Sequence, residues 1–177
     1  MRAASAIVAP SKSPGGTSPA RRPSATPIVI AISVGNTALS LPSSSYRASA
    51  LIDAINAQGG SVYEVDRWSG RAWEAYLSTG GASDFNIEPG VGYMVKARVT
   101  SIFRARVDPA QQFKQVQVRK GWDFIGVPLC KDGSQSCLSA SGLAAKITAQ
   151  GGGVAEIARW ENGGWKSFLV GYAQKDF

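Results

Sequence analysis

The chain has 177 residues, of which 44% are hydrophobic and 18% charged, and its net charge is +7. This composition is typical of a globular protein with one or two small domains and argues against disorder along the whole chain. The absence of histidine excludes Ser-His and Cys-His catalytic pairs and the commonest metal ligand. We therefore expect a protein without enzyme activity, metal or cofactor.

Residues 1–27 have four basic residues and no acidic one, set among Ser, Pro, Ala and Gly. Such a segment buries too little apolar surface to offset its ordering entropy, so we predict a disordered linker, with a transit peptide as the alternative. Its apolar stretch is too short for a secretory signal. Charge is nearly balanced over the rest of the chain, so we expect no specific nucleic-acid partner. No apolar run approaches the length of a membrane helix, so no membrane span is expected.

The first repeat unit is predicted over residues 28–107, from alternating apolar residues, helical spacing and glycine-containing turns. In chain order, its elements are a strand over Pro27–Val34, a short strand ending at Pro42, a helix over residues 49–55 that stops at Gln58-Gly59-Gly60, and strands over Val62–Trp68, Trp73–Leu77, Tyr93–Ala97 and Ser101–Val107.

The same pattern recurs in a second unit over residues 108–177. Shifted by 92 positions, residues 51–85 fall on 143–177 without a gap, and about 14 of the 35 pairs are identical. Upstream the shift is 86, because the second copy has six additional residues between Pro128 and Leu143. The elements predicted there are a strand over Lys114–Lys120, a short strand ending at Pro128, a helix with apolar positions at Leu143, Ala144 and Ile147, and strands over Val154–Trp160 and Trp165–Val170.

These elements predict an α+β, β-rich fold: two tandem copies of a small, mostly antiparallel β unit with one short helix each. The second copy has no counterpart of Asn86–Val107. Either the sequence is a fragment of a longer repeat array, or a partner supplies a β-strand that completes the unit. The fragment is favoured because natural chains normally cover an open sheet edge.

Cys130 and Cys137 enclose a polar loop within the inserted stretch. We predict a structural disulfide, which would contribute about 2–3 kcal/mol and imply an oxidising compartment. Two free thiols or a redox pair are the alternatives, although a redox pair usually has two intervening residues.

The acidic residues are scattered. Glu64 and Asp66 share a strand face, but Ala158 replaces Asp66 in the second copy, which is weak support for a paired acid site. The favoured interpretation of Glu64 and its counterpart Glu156 is a solvent-facing strand residue opposite a cationic neighbour.

The aromatic residues are the stronger candidates for binding. Trp68 and Trp73 are separated by a turn, as are Trp160 and Trp165. Rings on a hairpin form a platform for a sugar or a protein partner, or they pack across strands within a core, which is favoured here. The candidate ligand-binding residues are Trp73, Trp165, Tyr76 and Phe168, with Trp73 and Trp165 expected to be partly exposed.

Three motifs carry a family resemblance: Gly121–Pro128, with the sequence GWDFIGVP; Arg159-Trp160 with Trp165; and Pro89–Val95, with the sequence PGVGYMV. Together they resemble a repeat module of secreted bacterial surface proteins, with the pattern GWN…P, W…G.W and PGxGYWV, over about residues 28–177. The first copy departs from this pattern at Asn36-Thr37, and it has Met94 where Trp is usual. The resemblance implies a non-catalytic module, often in tandem.

We therefore expect an extracellular or cell-surface module with a structural, adhesive or anchoring role and a protein or glycan partner. The alternatives are a carbohydrate-binding module that uses the hairpin aromatics and an accessory domain of a larger secreted hydrolase.

Overall fold

The structure is a computed structural model that describes residues 26–42, 45–80, 83–107, 117–127 and 138–177. Within these residues the protein has an α+β, β-rich fold, as predicted, with eight strands in antiparallel sheets and two short helices. The elements are β1 (Thr26–Ile32), β2 (Gly35–Leu39), α1 (Ala48–Asn56), β3 (Val62–Trp68), β4 (Trp73–Leu77), β5 (Tyr93–Ala97), β6 (Ser101–Val107), α2 (Ala140–Ala149), β7 (Glu156–Glu161) and β8 (Gly164–Leu169).

The first unit is built on a four-stranded sheet in the order β2-β5-β3-β4, beside a ribbon of β1 and β6. Helix α1 buries Ala48, Leu51, Ile52 and Ile55 against the inner face of this sheet, at the spacing of one helical stripe. The buried members contributed by the strands include Ile32, Val65, Val95 and Phe103. One core therefore joins the sheet, the ribbon and the helix.

Both helices end in the same way. Gly59 has φ of +90° and Gly151 has φ of +88°, a conformation that suits glycine at a helix C-terminus. The N–H of the following glycine donates to the carbonyl of Ile55 in α1 and of Ile147 in α2, at 3.1 Å in each case. The repeated Gly-Gly pair therefore stops each helix at the same place.

The start of each helix is also duplicated. The Ala48 N–H donates to the carbonyl of Phe85 at 2.9 Å, and 92 positions later the Ala140 N–H donates to the carbonyl of Phe177 at 2.9 Å. The carboxylates of Asp84 and Asp176 each accept from a serine N–H and hydroxyl in the first turn, from Ser49 in α1 and Ser141 in α2. The sequence repeat therefore corresponds to a repeat of structural contacts.

The second unit departs from two predictions. The strand predicted over Lys114–Lys120 is wrong where the structure describes it, because residues 117–120 form no strand. The short strand predicted to end at Pro128 is reduced to one bridge, between Ile125 and Val91 of the first unit. The physical reason is the same in both cases. The counterparts of these segments, β1 and β2, pair with β6 and β5, and the described part of the second unit has no counterpart of either partner.

This difference also changes burial. Val65 is fully buried in β3, whereas its counterpart Ile157 in β7 is only half-buried. The boundary between the units, nearly all of the predicted linker and the predicted Cys130–Cys137 disulfide lie outside the described residues. Thr26 and Pro27, at the end of that linker, already belong to β1.

Candidate functional site

The candidate site begins with two tryptophan pairs, one on each hairpin. Trp68 lies opposite Trp73 in the β3–β4 register, and Trp160 lies opposite Trp165 in the β7–β8 register. The ring centroids are 5.5 Å apart in the first pair and 5.3 Å apart in the second, with an edge-to-face arrangement in each. Both hairpins thus place one tryptophan pair beside the turn.

The turn of the second hairpin has two residues, Asn162 and Gly163, with φ of +52° and +79°. Two consecutive residues with positive φ make a type I′ turn, whose twist suits a hairpin and which Asn-Gly favours. The turn ends there, because the next residue, Gly164, already belongs to β8.

Phe124 connects the two pairs. Its ring centroid lies 5.6 Å from that of Trp73 and 5.8 Å from that of Trp165, edge-to-face with both. Trp68, Trp73, Phe124, Trp165 and Trp160 therefore form one continuous series of ring contacts, which we call the aromatic line. The line crosses from the hairpin of the first unit to the hairpin of the second.

The two ends of the aromatic line make reciprocal hydrogen bonds. The Nε1–H of Trp68 donates to the carbonyl of Trp122 at 2.7 Å, and the Nε1–H of Trp160 donates to the carbonyl of Asn36 at 3.1 Å. Trp68 and Trp160 correspond at the shift of 92, and Asn36 and Trp122 correspond at the shift of 86. Each unit thus gives the other the same donor and the same acceptor, which is the signature of an approximate two-fold relation.

A second contact marks the approximate axis. A Cβ placed on Gly126 would lie 1.7 Å from Ser40 Oγ and 2.4 Å from Ser40 Cβ. Ser40 and Gly126 are themselves counterparts at the shift of 86. A residue near a two-fold axis meets its own equivalent, and there is room for only one side chain at this point.

The backbone near the axis also joins the units. The Gly92 N–H donates to the carbonyl of Phe124, and the Gly126 N–H donates to the carbonyl of Gly90, both at 2.8 Å. A Cβ on Gly92 would lie 2.8 Å from the Phe124 ring, so glycine is what allows that ring to approach. The second unit therefore packs against the Pro-Gly-Val-Gly turn of the first unit.

The contact between each hairpin turn and the other unit is occupied by a side chain in one half of the molecule and is open in the other. Arg119 is held by Asp123 at 2.6 Å and donates to the carbonyl of Ser69 at 3.2 Å. Its counterpart is Ser33, and at that junction a cavity of about 510 Å³ lies between β2 and the β7–β8 turn. The short serine side chain leaves open a space that the guanidinium of Arg119 occupies in the other half.

The four candidate ligand-binding residues do not share one surface. Trp73 and Trp165 are 45% and 48% exposed and lie on either side of Phe124. Tyr76 packs against the first-unit core, and Phe168 lines a cavity of about 580 Å³ beside α2. Because side chains alternate along a strand, both lie on the face opposite to the tryptophans. An aromatic binding surface here therefore includes Trp73 and Trp165 alone among the four.

The outer face of the first sheet carries a charged cluster next to Trp68. The ammonium of Lys96 lies 2.6 Å from Glu64 and 3.1 Å from Asp66, and Asp66 is only 6% exposed. Burial, and after it the hydrogen bond with Glu64, raise the pKa of Asp66 to about 6, against the opposing effect of Lys96. The cationic neighbour predicted for Glu64 is therefore Lys96. The predicted exposure is wrong, because the Glu64 side chain is only 16% exposed within this cluster.

No family model, curated protein or solved structure matches this chain. The resemblance to the surface repeat module stays a prediction that rests on the three motifs. In the described residues no helix is long and apolar enough to cross a bilayer, and no three potential ligands cluster as a metal site would require.

Sequence reasoning missed the centre of this site. Phe124 stands where the first copy has Ala38, so the repeat comparison alone gave it no weight. Gly92 and Gly126 matter for the space they leave, and the carbonyls of Asn36 and Trp122 have no signature in sequence. The signal present in the sequence was the difference in side-chain volume between Phe124 and its aligned residue Ala38, in segments that contain glycine.

Proposed function

We propose that this protein is a non-catalytic module of an extracellular or cell-surface protein, with a structural, adhesive or anchoring role. The observation that carries the proposal is the aromatic line. It joins two copies of one unit and leaves Trp73 and Trp165, which both contact Phe124, about half exposed. Exposed tryptophans that are held rigidly by neighbouring rings supply contact area at low entropic cost.

The placement of the protein is tested by surface labelling. Antibodies against the protein are applied to intact source cells and to culture medium, and protease is used to remove surface material. We expect antibodies to label intact cells and protease to remove this label, or the antigen to be present in the medium. Antigen found only after lysis contradicts the proposal.

The adhesive role is tested with immobilised protein against extracellular proteins and polysaccharides, by surface plasmon resonance. Trp73→Ala and Trp165→Ala should each weaken binding. Trp122→Ala is the matched control, because Trp122 is 58% exposed and makes no ring contact among the described residues. If Trp73→Ala and Trp165→Ala bind as strongly as Trp122→Ala, neither tryptophan contributes to adhesion.

Carbohydrate binding is the second candidate, favoured by the exposed indole rings of Trp73 and Trp165. On a glycan array, binding should disappear with Trp165→Ala while the circular dichroism spectrum is unchanged, and it should persist with Trp122→Ala. Absence of binding to every glycan counts against this candidate and leaves protein adhesion as the role to test.

A further inference from the structure

The second hairpin has one strand edge that its counterpart does not leave open. In the first unit β3 pairs with β4 on one side and with β5 on the other. In the second unit β7 pairs with β8, and the described residues place no strand along its other edge. An open edge of this kind is a template for a further strand.

The neighbouring side chains indicate what such a strand carries. Glu64 on β3 faces Lys96 of β5 and pairs with it at 2.6 Å. Its counterpart Glu156 on β7 forms no ion pair within the described residues. A lysine at the facing position of an added strand would restore the pair.

An aromatic contact is incomplete in the same way. Phe85 contacts both the Arg67 guanidinium, 4.6 Å from its ring centroid, and the nearly parallel ring of Tyr93 on β5, at 6.0 Å. The counterpart Phe177 has the Arg159 guanidinium at 4.5 Å, and no other described ring contacts it. A tyrosine three positions before the lysine would stack on Phe177. This is the spacing of Tyr93 and Lys96 in β5.

We propose that the open edge of β7 binds an extended peptide segment as an antiparallel strand with the pattern Tyr-x-Val-Lys. Its tyrosine stacks on Phe177, its valine lies beside Ile157 and its lysine pairs with Glu156. In the first unit the Pro-Gly turn before β5 contacts Phe124–Gly126 of the second unit. By the approximate two-fold relation, a Pro-Gly turn before the added strand would contact Ala38–Ser40 of the first unit, so the peptide site adjoins the existing interface. A second copy cannot supply its own β5, which is buried within its sheet. The proposal does not rest on the adhesive role.

The test uses the whole 177-residue protein and a fluorescein-labelled peptide with the sequence of residues 88–99. Fluorescence polarisation should show saturable binding, and hydrogen exchange should slow in β7. The same peptide with Met94→Pro loses an N–H that faces β7 and should not bind, because N–H direction alternates along a strand and the Arg98 N–H, four positions later, donates towards β3 at Ser61. Absence of binding, equal binding of the proline peptide, or protection in β3 instead of β7 overturns the proposal.

A charge exchange identifies the register. Glu156→Lys in the protein should weaken binding by about tenfold or more, and Lys96→Glu in the peptide should restore it. Asp53→Lys is the matched control, since Asp53 is exposed on α1 and the change in charge is the same. If Glu156→Lys and Asp53→Lys bind alike, or the exchanged peptide fails to restore binding, the proposed pairing is wrong.

Discussion

At the scale of single residues, Asp66 is the group with the most unusual environment. It has the position of an ordinary strand residue, yet it lies almost fully buried beside Glu64 and Lys96. Alternation along β3 predicts that Glu64 and Asp66 share a face. The burial could not be predicted, because it depends on what packs over that face.

We expect Asp66 to make the stability of the protein depend on pH. Its pKa is about 6 in the folded chain against an ordinary value of 3.8, so the folded state holds the proton more tightly. This contribution to stability is complete below about pH 4 and is lost as the pH rises through about 6. In Asp66→Asn this loss is absent, so the variant should gain about 1–2 kcal/mol over the wild type between pH 4 and pH 7.

Urea unfolding at a series of pH values measures this difference. Asp53→Asn is the control, because it makes the same change of side chain at an exposed position. A constant difference between Asp66→Asn and wild type across this range would show that Asp66 ionises normally.

At the scale of elements, the helices show why one local sequence is used twice. In each helix the N–H of a first-turn serine, Ser49 or Ser141, donates to a carboxylate 35 positions later in the chain, Asp84 in one unit and Asp176 in the other. The helical spacing and the Gly-Gly stop were readable in sequence, and so were β3, β4, β5 and β6. The aspartate caps were not, because their distance along the chain is far beyond a local capping motif.

We expect Asp176→Ala to loosen α2 specifically. The Ser141 hydroxyl and N–H both donate to Asp176, and the hydroxyl bond is the main reason that its pKa falls to about 2. Without this acceptor, amide exchange in residues 140–143 should become faster while α1 is unchanged. Asp84→Ala should give the reverse result, and equal effects on both helices would contradict local capping.

The same carboxylate predicts an acid effect. Because its pKa is lowered on folding, the stabilisation by Asp176 is present above about pH 4 and is lost as the pH falls through about 2. This acid sensitivity of α2 should be absent in Asp176→Ala.

At the scale of the whole molecule, the two units form an approximate two-fold pair within one chain. The reciprocal tryptophan bonds, the Phe124 bridge and the contact of Ser40 with Gly126 all lie on this interface. The described second unit buries few large side chains of its own, so contact with the first unit compensates for a small core.

We expect Gly126→Ala to destabilise the protein by about 1–3 kcal/mol, because the new methyl group would overlap the side chain of Ser40. Ser40→Ala removes the Oγ overlap but keeps a Cβ at 2.4 Å, so it should rescue only part of the loss. Ser40→Gly removes both overlaps and should rescue more. Thermal and urea unfolding of the single and double variants measure the coupling free energy between the two positions. Additive effects would show that the two residues are not in contact.

The repeat, the fold class and most element positions could be predicted from the sequence, since they follow from local periodicity, turn residues and the match between two copies. Tertiary structure alone decided how the copies meet, which tryptophans remain half exposed and why the segment around Phe124 crosses to the first unit. Those outcomes depend on which strands find a hydrogen-bonding partner and which side chains compete for one volume. Neither property belongs to any single stretch of the chain.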